Sequence, residues 1–285
     1  MNKRSMTRAW TIAAVCAVCA VCALTAHAAD ALTPVALPAD FGVHAIGSVE
    51  PVVYTELSGE LRNPVDRKVI EAQCEVARKQ GRTDKTPLFE AGDDKPYKTE
   101  SKRFTNAKHW ANYTVDHVYT CDRADGKPSG ADGLCGCTYR VVPKYRAQIK
   151  NKTSAGLEVI DIDGNKRTAQ RRLVPGHAAV GLERGEADVA GLAPAIVGKD
   201  VVAGIPCVMH RRSMGGKNHM DICITDDPEK RLPPEMRFRA LSEYMPNPDG
   251  KGAHRWSKAD KVVLNGAVDA AVFSIPEGFT VKEFK

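Results

Sequence analysis

Short runs of alternating apolar and polar residues recur through most of this 285-residue chain, and turn dipeptides separate them. Side chains on a strand alternate between two faces, so such runs read as half-buried strands. The pattern predicts strands over 41–49, 52–57, 113–121, 135–142, 157–161, 166–174, 205–212, 219–225, 262–264, 267–275 and 279–284. Asp125-Gly126, Asp132-Gly133, Asp163-Gly164, Asp249-Gly250 and Asn265-Gly266 are tight-turn signals, because glycine accepts positive φ and Asn or Asp tolerates it. Asp163-Gly164 and Asn265-Gly266 lie between strand-like runs and predict hairpins. Pro143 lacks an amide donor and should end its strand or mark an edge.

One segment repeats at the helical period instead. Asn63 can cap it, Pro64 suits its first turn, Val65, Val69, Ala72 and Val76 share a face, and Gly81 can end it. Cys74 lies beside that face. A second helix is expected over 186–197, and the polar, Gly/Pro/Asp-rich stretch 82–102 reads as a long exposed loop. Together these features predict a mainly β (α+β) protein. Its architecture should be a curved antiparallel sheet or incomplete barrel, covered by one or two helices and stapled by disulfides.

The first 28 residues change what the cysteines mean. Lys3, Arg4 and Arg8 precede an apolar run from Trp10 to Leu24, and Ala26-His27-Ala28 follows. A basic flank, a short apolar stretch and small residues at −3 and −1 read as a secretory signal cleaved near Ala28. The run is shorter than the roughly 20 residues of a membrane span, so no stable membrane anchor is expected. Cys16, Cys19 and Cys22 lie inside it, each preceded by valine rather than the small residue favoured at lipoprotein processing sites. The expected location is the periplasm or the exterior. Residues 29–285 would form a single β-rich domain, with a division into 29–150 and 151–285 as the alternative. Without the leader the formal charge falls from +6 to +3, and the remaining basic residues form no stripe, so nucleic acid is not an expected partner.

Six cysteines remain: Cys74, Cys121, Cys135, Cys137, Cys207 and Cys223. An even number in an exported chain argues for disulfides. Cys207 and Cys223 are nearly symmetric about Gly215-Gly216. A three-residue loop there sets them directly opposite each other, which predicts their bridge. That register puts Val208, His210, Met220, Ile222 and Ile224 on a buried face. Cys207, Met209, Arg211, His219, Asp221 and Cys223 fall on a half-exposed one. Cys121 shares a strand face with Tyr113, Val115, His117 and Tyr119, and is expected to bridge Cys135 or Cys137. Cys74 would take the other.

Chemistry-bearing motifs are sparse. Cys135-Gly136-Cys137 suits either thiol exchange or two structural bridges. Met209, His210, His219 and Met220 offer thioether and imidazole ligands suited to copper, but the hairpin register puts the two histidines on opposite faces. Asp161-Ile162-Asp163-Gly164-Asn165 resembles part of a calcium loop, yet its glycine is fourth rather than sixth, and a hairpin turn accounts for it. No nucleophile elbow, His-Glu-x-x-His or P-loop occurs, so no catalytic residue and no cofactor is assigned. His109, His117, His177 and His254 could converge only through folding. Asn112-Tyr113-Thr114 and Asn151-Lys152-Thr153 fit the N-glycosylation pattern.

Three segments of the last third carry a resemblance. They are Val202-Ala203-Gly204-Ile205-Pro206-Cys207, Ile222-Cys223-Ile224-Thr225-Asp226-Asp227 and Phe273-Ser274-Ile275-Pro276-Glu277-Gly278-Phe279. This pattern resembles the bacterial periplasmic lipoprotein-carrier (LolA/LolB-like) superfamily. The resemblance implies an unclosed antiparallel barrel whose opening is covered by helices and whose apolar concavity holds acyl chains. The expected function is an exported, non-catalytic binding protein of the bacterial envelope, taking a hydrophobic small molecule, an acyl chain or an envelope protein. A periplasmic copper-binding protein is the alternative, and a thiol-exchange or unfamiliar hydrolytic enzyme the next.

Overall fold

The computed structural model describes residues 32–61, 67–81, 88–89, 97–121, 138–176, 195–215, 218–226, 232–236, 239–246 and 253–284. Most of them are strand. Thr33–Lys285 forms one compact unit. The strands are β1 (Thr33–Pro34), β2 (Val49–Leu61), β3 (Leu88–Phe89), β4 (Tyr97–Thr105), β5 (His109–Cys121), β6 (Thr138–Thr153) and β7 (Gly156–Asp163). They continue with β8 (Thr168–Pro175), β9 (Ala195–Val202), β10 (Ile205–Gly215), β11 (Asn218–Thr225), β12 (Ala240–Pro246), β13 (Ala253–Asp269) and β14 (Thr280–Phe284). Single 3₁₀ turns occupy Ala39–Phe41, Pro234–Met236 and Ala270–Phe273, and one helix, α1, spans Arg67–Lys79.

All the described strands join one unclosed sheet in the order β14-β8-β7-β6-β5-β4-β2-β13-β12-β11-β10-β9. Neighbours along this path are antiparallel except β14, which runs parallel to β8. The short strands β1 and β3 attach in parallel to β13 and β6.

The two larger cores form on opposite faces of this sheet, and β2 contributes to both; a smaller cluster gathers Leu157 and Val159 with Trp110 and Val174. Val52 and Tyr54 point into the first core with Phe104, Tyr113, Ile149, Ile160, Ile162 and Val268. The segment after β1 and the turn after β13 pack onto that face with Phe41, Val272 and Phe273. Val53 points the other way, into a second core with Val202, Cys207, Cys223, Met236, Leu241 and Ala259. Val52, Val53, Tyr54 and Thr55 are therefore all buried, as expected for a strand covered on both sides. Tyr113 donates its hydroxyl to Val272 O at 2.7 Å, so its polar tip is satisfied inside the first core.

The hairpin at Asp163-Gly164 forms as predicted between β7 and β8. Asn265-Gly266 forms no hairpin. It lies inside β13, at a bulge between Val263 and Gly266 in the pairing with β2. A Cβ on Gly266 would stand 3.2 Å from Val52 O and 3.4 Å from Val35 Cγ1, so this glycine admits the close approach of neighbouring backbone and of the segment after β1. The run expected over 41–49 is instead a 3₁₀ turn followed by irregular chain, and the run over 267–275 stops at Asp269. There the Asp269 carboxylate accepts from Ala271 N and starts a 3₁₀ turn. Pro143 does not end β6. It lies beyond the β7 pairing, which begins at Arg146, and Asn165 Nδ2 donates to its carbonyl at 3.0 Å. The proline thus marks a local edge.

The expected loop over 82–102 contains β3 and most of β4. β4 is polar because cross-strand partners neutralise it: Lys102 stands opposite Glu56 and Lys98 opposite Glu60. Residues 195–197 of the expected second helix belong to β9, and the rest of that stretch lies outside the described residues.

α1 ends as predicted, with Gly81 at φ +66 receiving the chain. Its buried side chains are Cys74 and Ala77, whereas Ala72 and Val76 are exposed. The predicted face is therefore rotated. Cys74, which is disulfide-bonded, is fully buried beside Ala77. The partner of Cys74 lies outside the described residues, as do the side chain of Cys121 and all of Cys135 and Cys137. α1 makes no extended contact with a described strand.

Cys207 and Cys223 are bridged, with Cα atoms 5.4 Å apart. They are diagonal rather than directly opposite: Cys207 faces Thr225 and Cys223 faces Met209. The two predicted faces survive this two-residue slip, because parity is unchanged. Burial differs from expectation. The cysteine face enters the second core near the base of the hairpin, and both faces open to solvent toward its tip.

Two stability outcomes follow. Replacing Cys207 and Cys223 with alanine should cost about 3 kcal/mol in urea unfolding, as expected for a loop of this length. Gly59→Ala should destabilise by about 1–3 kcal/mol, since its Cβ would meet Trp256 O at 2.6 Å. Gly198→Ala, whose Cβ meets nothing within 4 Å, should be close to neutral in the same assay.

Candidate functional site

A cleft of about 490 Å³ opens where β2, β4 and β13 end together. Val52, Val53, Pro51, Leu264 and Pro233 supply its apolar walls, with Thr105 between them. Glu50, Asn106, Lys108 and Asn265 supply its polar rim. The β13 bulge creates the opening, because Leu264 and Asn265 have no register partner on β2. A bulge diverts side chains from the ladder and often shapes a site. Leu264 is 37% exposed at the mouth of this cleft.

A chain of polar side chains fixes one wall. The Asn106 side-chain carbonyl accepts from Lys108 N at 2.9 Å and His109 N at 2.7 Å, which shapes the turn between β4 and β5. Its amide donates to Glu50 Oε2 at 2.9 Å. His109 Nδ1 donates to Asn151 Oδ1 at 2.9 Å, and its Nε2 faces Glu50 Oε2 at 3.9 Å. Asn151 donates in turn to Glu158 Oε2 at 2.8 Å and Phe273 O at 3.1 Å. His109 also stacks on Phe273 at 4.9 Å. These bonds tie β2, β5, β6 and β7 to the 3₁₀ turn after β13, and they leave Glu50 and Asn151 already occupied.

The sequence-predicted residues are dispersed. His210 faces Ile222 and His219 faces Ser213, so these histidines lie on opposite faces of the β10–β11 hairpin. Met209 faces Cys223, and Met220 faces Arg212 on the other side. Among the described residues, no group of three His, Cys, Asp or Glu is gathered to hold a metal. His117 sits far along β5 from His109, His177 lies outside the described residues, and so does the side chain of His254. Asp161 accepts from Gln148 Nε2 at 2.7 Å, and Asp163 accepts from Lys166 N at 3.1 Å. The calcium-like segment is therefore a hairpin turn whose carboxylates have partners. The two glycosylation-like asparagines lie on central strands: Asn112 bonds Thr114, and Asn151 is 9% exposed. Sequence reasoning does not find the cleft. Its one signal, Asn265-Gly266, suits a tight turn equally well.

His44 is a buried titratable group of the first core. Its Nδ1 donates to Ala271 O at 3.0 Å and its ring meets Tyr113 edge-on. Burial drives its pKa down, against smaller upward contributions from the Ala271 carbonyl and the Asp269 charge. Burial also pushes the Tyr113 hydroxyl above the usual tyrosine range.

No protein-family model matches the chain. No curated protein matches it in sequence. Among solved structures, it is similar to an uncharacterised conserved protein from Thermus thermophilus, with a TM-score of 0.38 and 8% identity, covering 82% of this chain and 90% of that one.

The lowered pKa of His44 sets a pH dependence. The unfolded chain binds this proton more readily than the folded one, so the stabilising contribution is present above the ordinary value of 6.5 and is lost as pH falls through the folded value. Thermal unfolding should show the wild type losing stability as the pH falls below 6.5. His44→Gln should show a flatter profile over the same interval.

Proposed function

We propose that this chain is an exported, non-catalytic binding protein of the bacterial envelope whose cleft at the end of β2, β4 and β13 takes an apolar small molecule. The observation that supports this most directly is the cleft itself. It has about 490 Å³, an apolar interior and a rim of few polar groups. Small-ligand sites typically have volumes of about 300–1,000 Å³ and the same division of lining. The exposed Leu264 at its mouth gains a reason to be apolar.

The location rests on three observations: the leader-like residues 1–28, the Cys207–Cys223 bridge, and the lack of any described helix long and apolar enough to cross a membrane. The antiparallel, unclosed sheet is compatible with the resemblance to the lipoprotein-carrier superfamily. That resemblance implies an acyl chain held against an apolar sheet face. Here the chain itself fills the first core with Phe41, Val272 and Phe273, so a ligand is directed to the cleft at the strand ends instead.

Delipidated full-length mature protein should bind Nile red, a neutral apolar dye, saturably. Leu264→Trp, which fills the cleft mouth, should weaken that binding about tenfold, a change of about 1.4 kcal/mol. Non-saturable uptake, or affinity unchanged in Leu264→Trp, would sink the assignment.

A further inference from the structure

The cleft does not end at its own walls. One cross-strand row of side chains leads away from it on the same face of the sheet. Val53 stands opposite Thr105, and Thr105 opposite Trp110. Trp110 stands opposite Lys150, Lys150 opposite Val159, and Val159 opposite Arg172. Val53 and Thr105 line the cleft. Two strand spacings, about 10 Å, separate Thr105 from Lys150.

Lys150 is unusual for a lysine on a sheet face. Its Nζ lies 5.0 Å from the centre of the Trp110 ring, and its side chain is only half exposed. Burial and the neighbouring charges of Arg239 and Arg172 oppose its protonation, and Asp161 is its one favourable charge of note. Asp161 bonds Gln148, and among the described residues no carboxylate lies within salt-bridge distance of Lys150. Trp110 Nε1 is buried beside it with no hydrogen-bond partner among the described residues, and Asn112 Oδ1 on the same face of β5 is likewise unpaired. A partly desolvated cation with no carboxylate in reach among the described residues, next to an unpaired donor and an unpaired acceptor, is expensive in a folded protein.

We propose that Lys150, seated on Trp110, receives the anionic head of an amphipathic ligand whose apolar body lies in the cleft. This rests on the cleft reading above and adds the ligand's chemical class: an apolar chain ending in a carboxylate or comparable anion. The head supplies the counter-charge that Lys150 does not find among the described residues. The direction is set by the row: the floor of Val53 and Thr105 comes first, the aromatic surface of Trp110 next, and the ammonium last. Lys108 also lies at the cleft, but it is exposed at the rim, where an ion pair adds little.

Two probes separate head from body: a dansyl-tagged undecanoic acid and its methyl ester. Full-length mature protein should bind the acid about tenfold more tightly than the ester, as one charge-assisted hydrogen bond in a partly desolvated site provides. Lys150→Met should abolish that preference, and a cooperative urea-unfolding transition reports that the fold is intact. Lys150→Arg should keep most of the preference. Equal binding of both probes by the wild type overturns the head assignment while leaving the cleft reading in place. A preference that survives Lys150→Met but disappears in Lys108→Met overturns it too, and puts the anion at the rim. Failure of the wild type to bind either probe removes the cleft reading, and this inference with it.

Discussion

The pairing of β2 with β13 is the constraint on which the rest of the structure depends. These strands of 13 and 17 residues sit at the middle of the sheet and pair from Val49–Asp269 to Leu61–Arg255. Each contributes one parity of side chains to each core. Register is therefore specified from both sides: a slip of one residue would exchange Val52 and Tyr54 with Val53 and Thr55 across the sheet. The pair thereby serves both cores.

The same length creates the cleft. Two antiparallel strands this long twist and coil, and bulges bend the strand and sharpen the twist locally. β13 has irregularities at Ala259–Lys261 and Val263–Gly266. The second displaces Leu264 and Asn265, opens the space beside Val52 and Val53, and lets β1 attach at Gly266 and Ala267. The site is a by-product of how the central pair copes with its own geometry, and the Asn106–Glu50 and His109–Asn151 bonds then hold its wall.

The strand content and the Cys207–Cys223 bridge are legible in the sequence because they depend on period-two alternation and on local symmetry, both of which short windows report. β4 is not legible, since its partners Glu56 and Glu60 are some forty residues away and only the fold brings them opposite its lysines. Asn265-Gly266 misleads because the same dipeptide suits a tight turn and a bulge, and the choice depends on β1 and β2 arriving beside it. The buried stripe of α1 misleads for a related reason. Cys74 and Ala77 are buried while Val76 is exposed, so the buried face follows the bonded cysteine and not the apolar repeat. The candidate site shares this fate. Glu50, Asn106, His109 and Asn151 come from three separate parts of the chain and form no motif, whereas the methionine–histidine segment that does form one is divided between two faces.

The diagonal bridge at the base of β10 and β11 has one more consequence. Cys207 and Cys223 follow one another in the chain with no other cysteine between them. Closing so short a segment costs little entropy. Joining these two sequence neighbours gives the native link. That corner of the molecule is closed by a local link, whereas β2 and β13 are joined across distant parts of the chain.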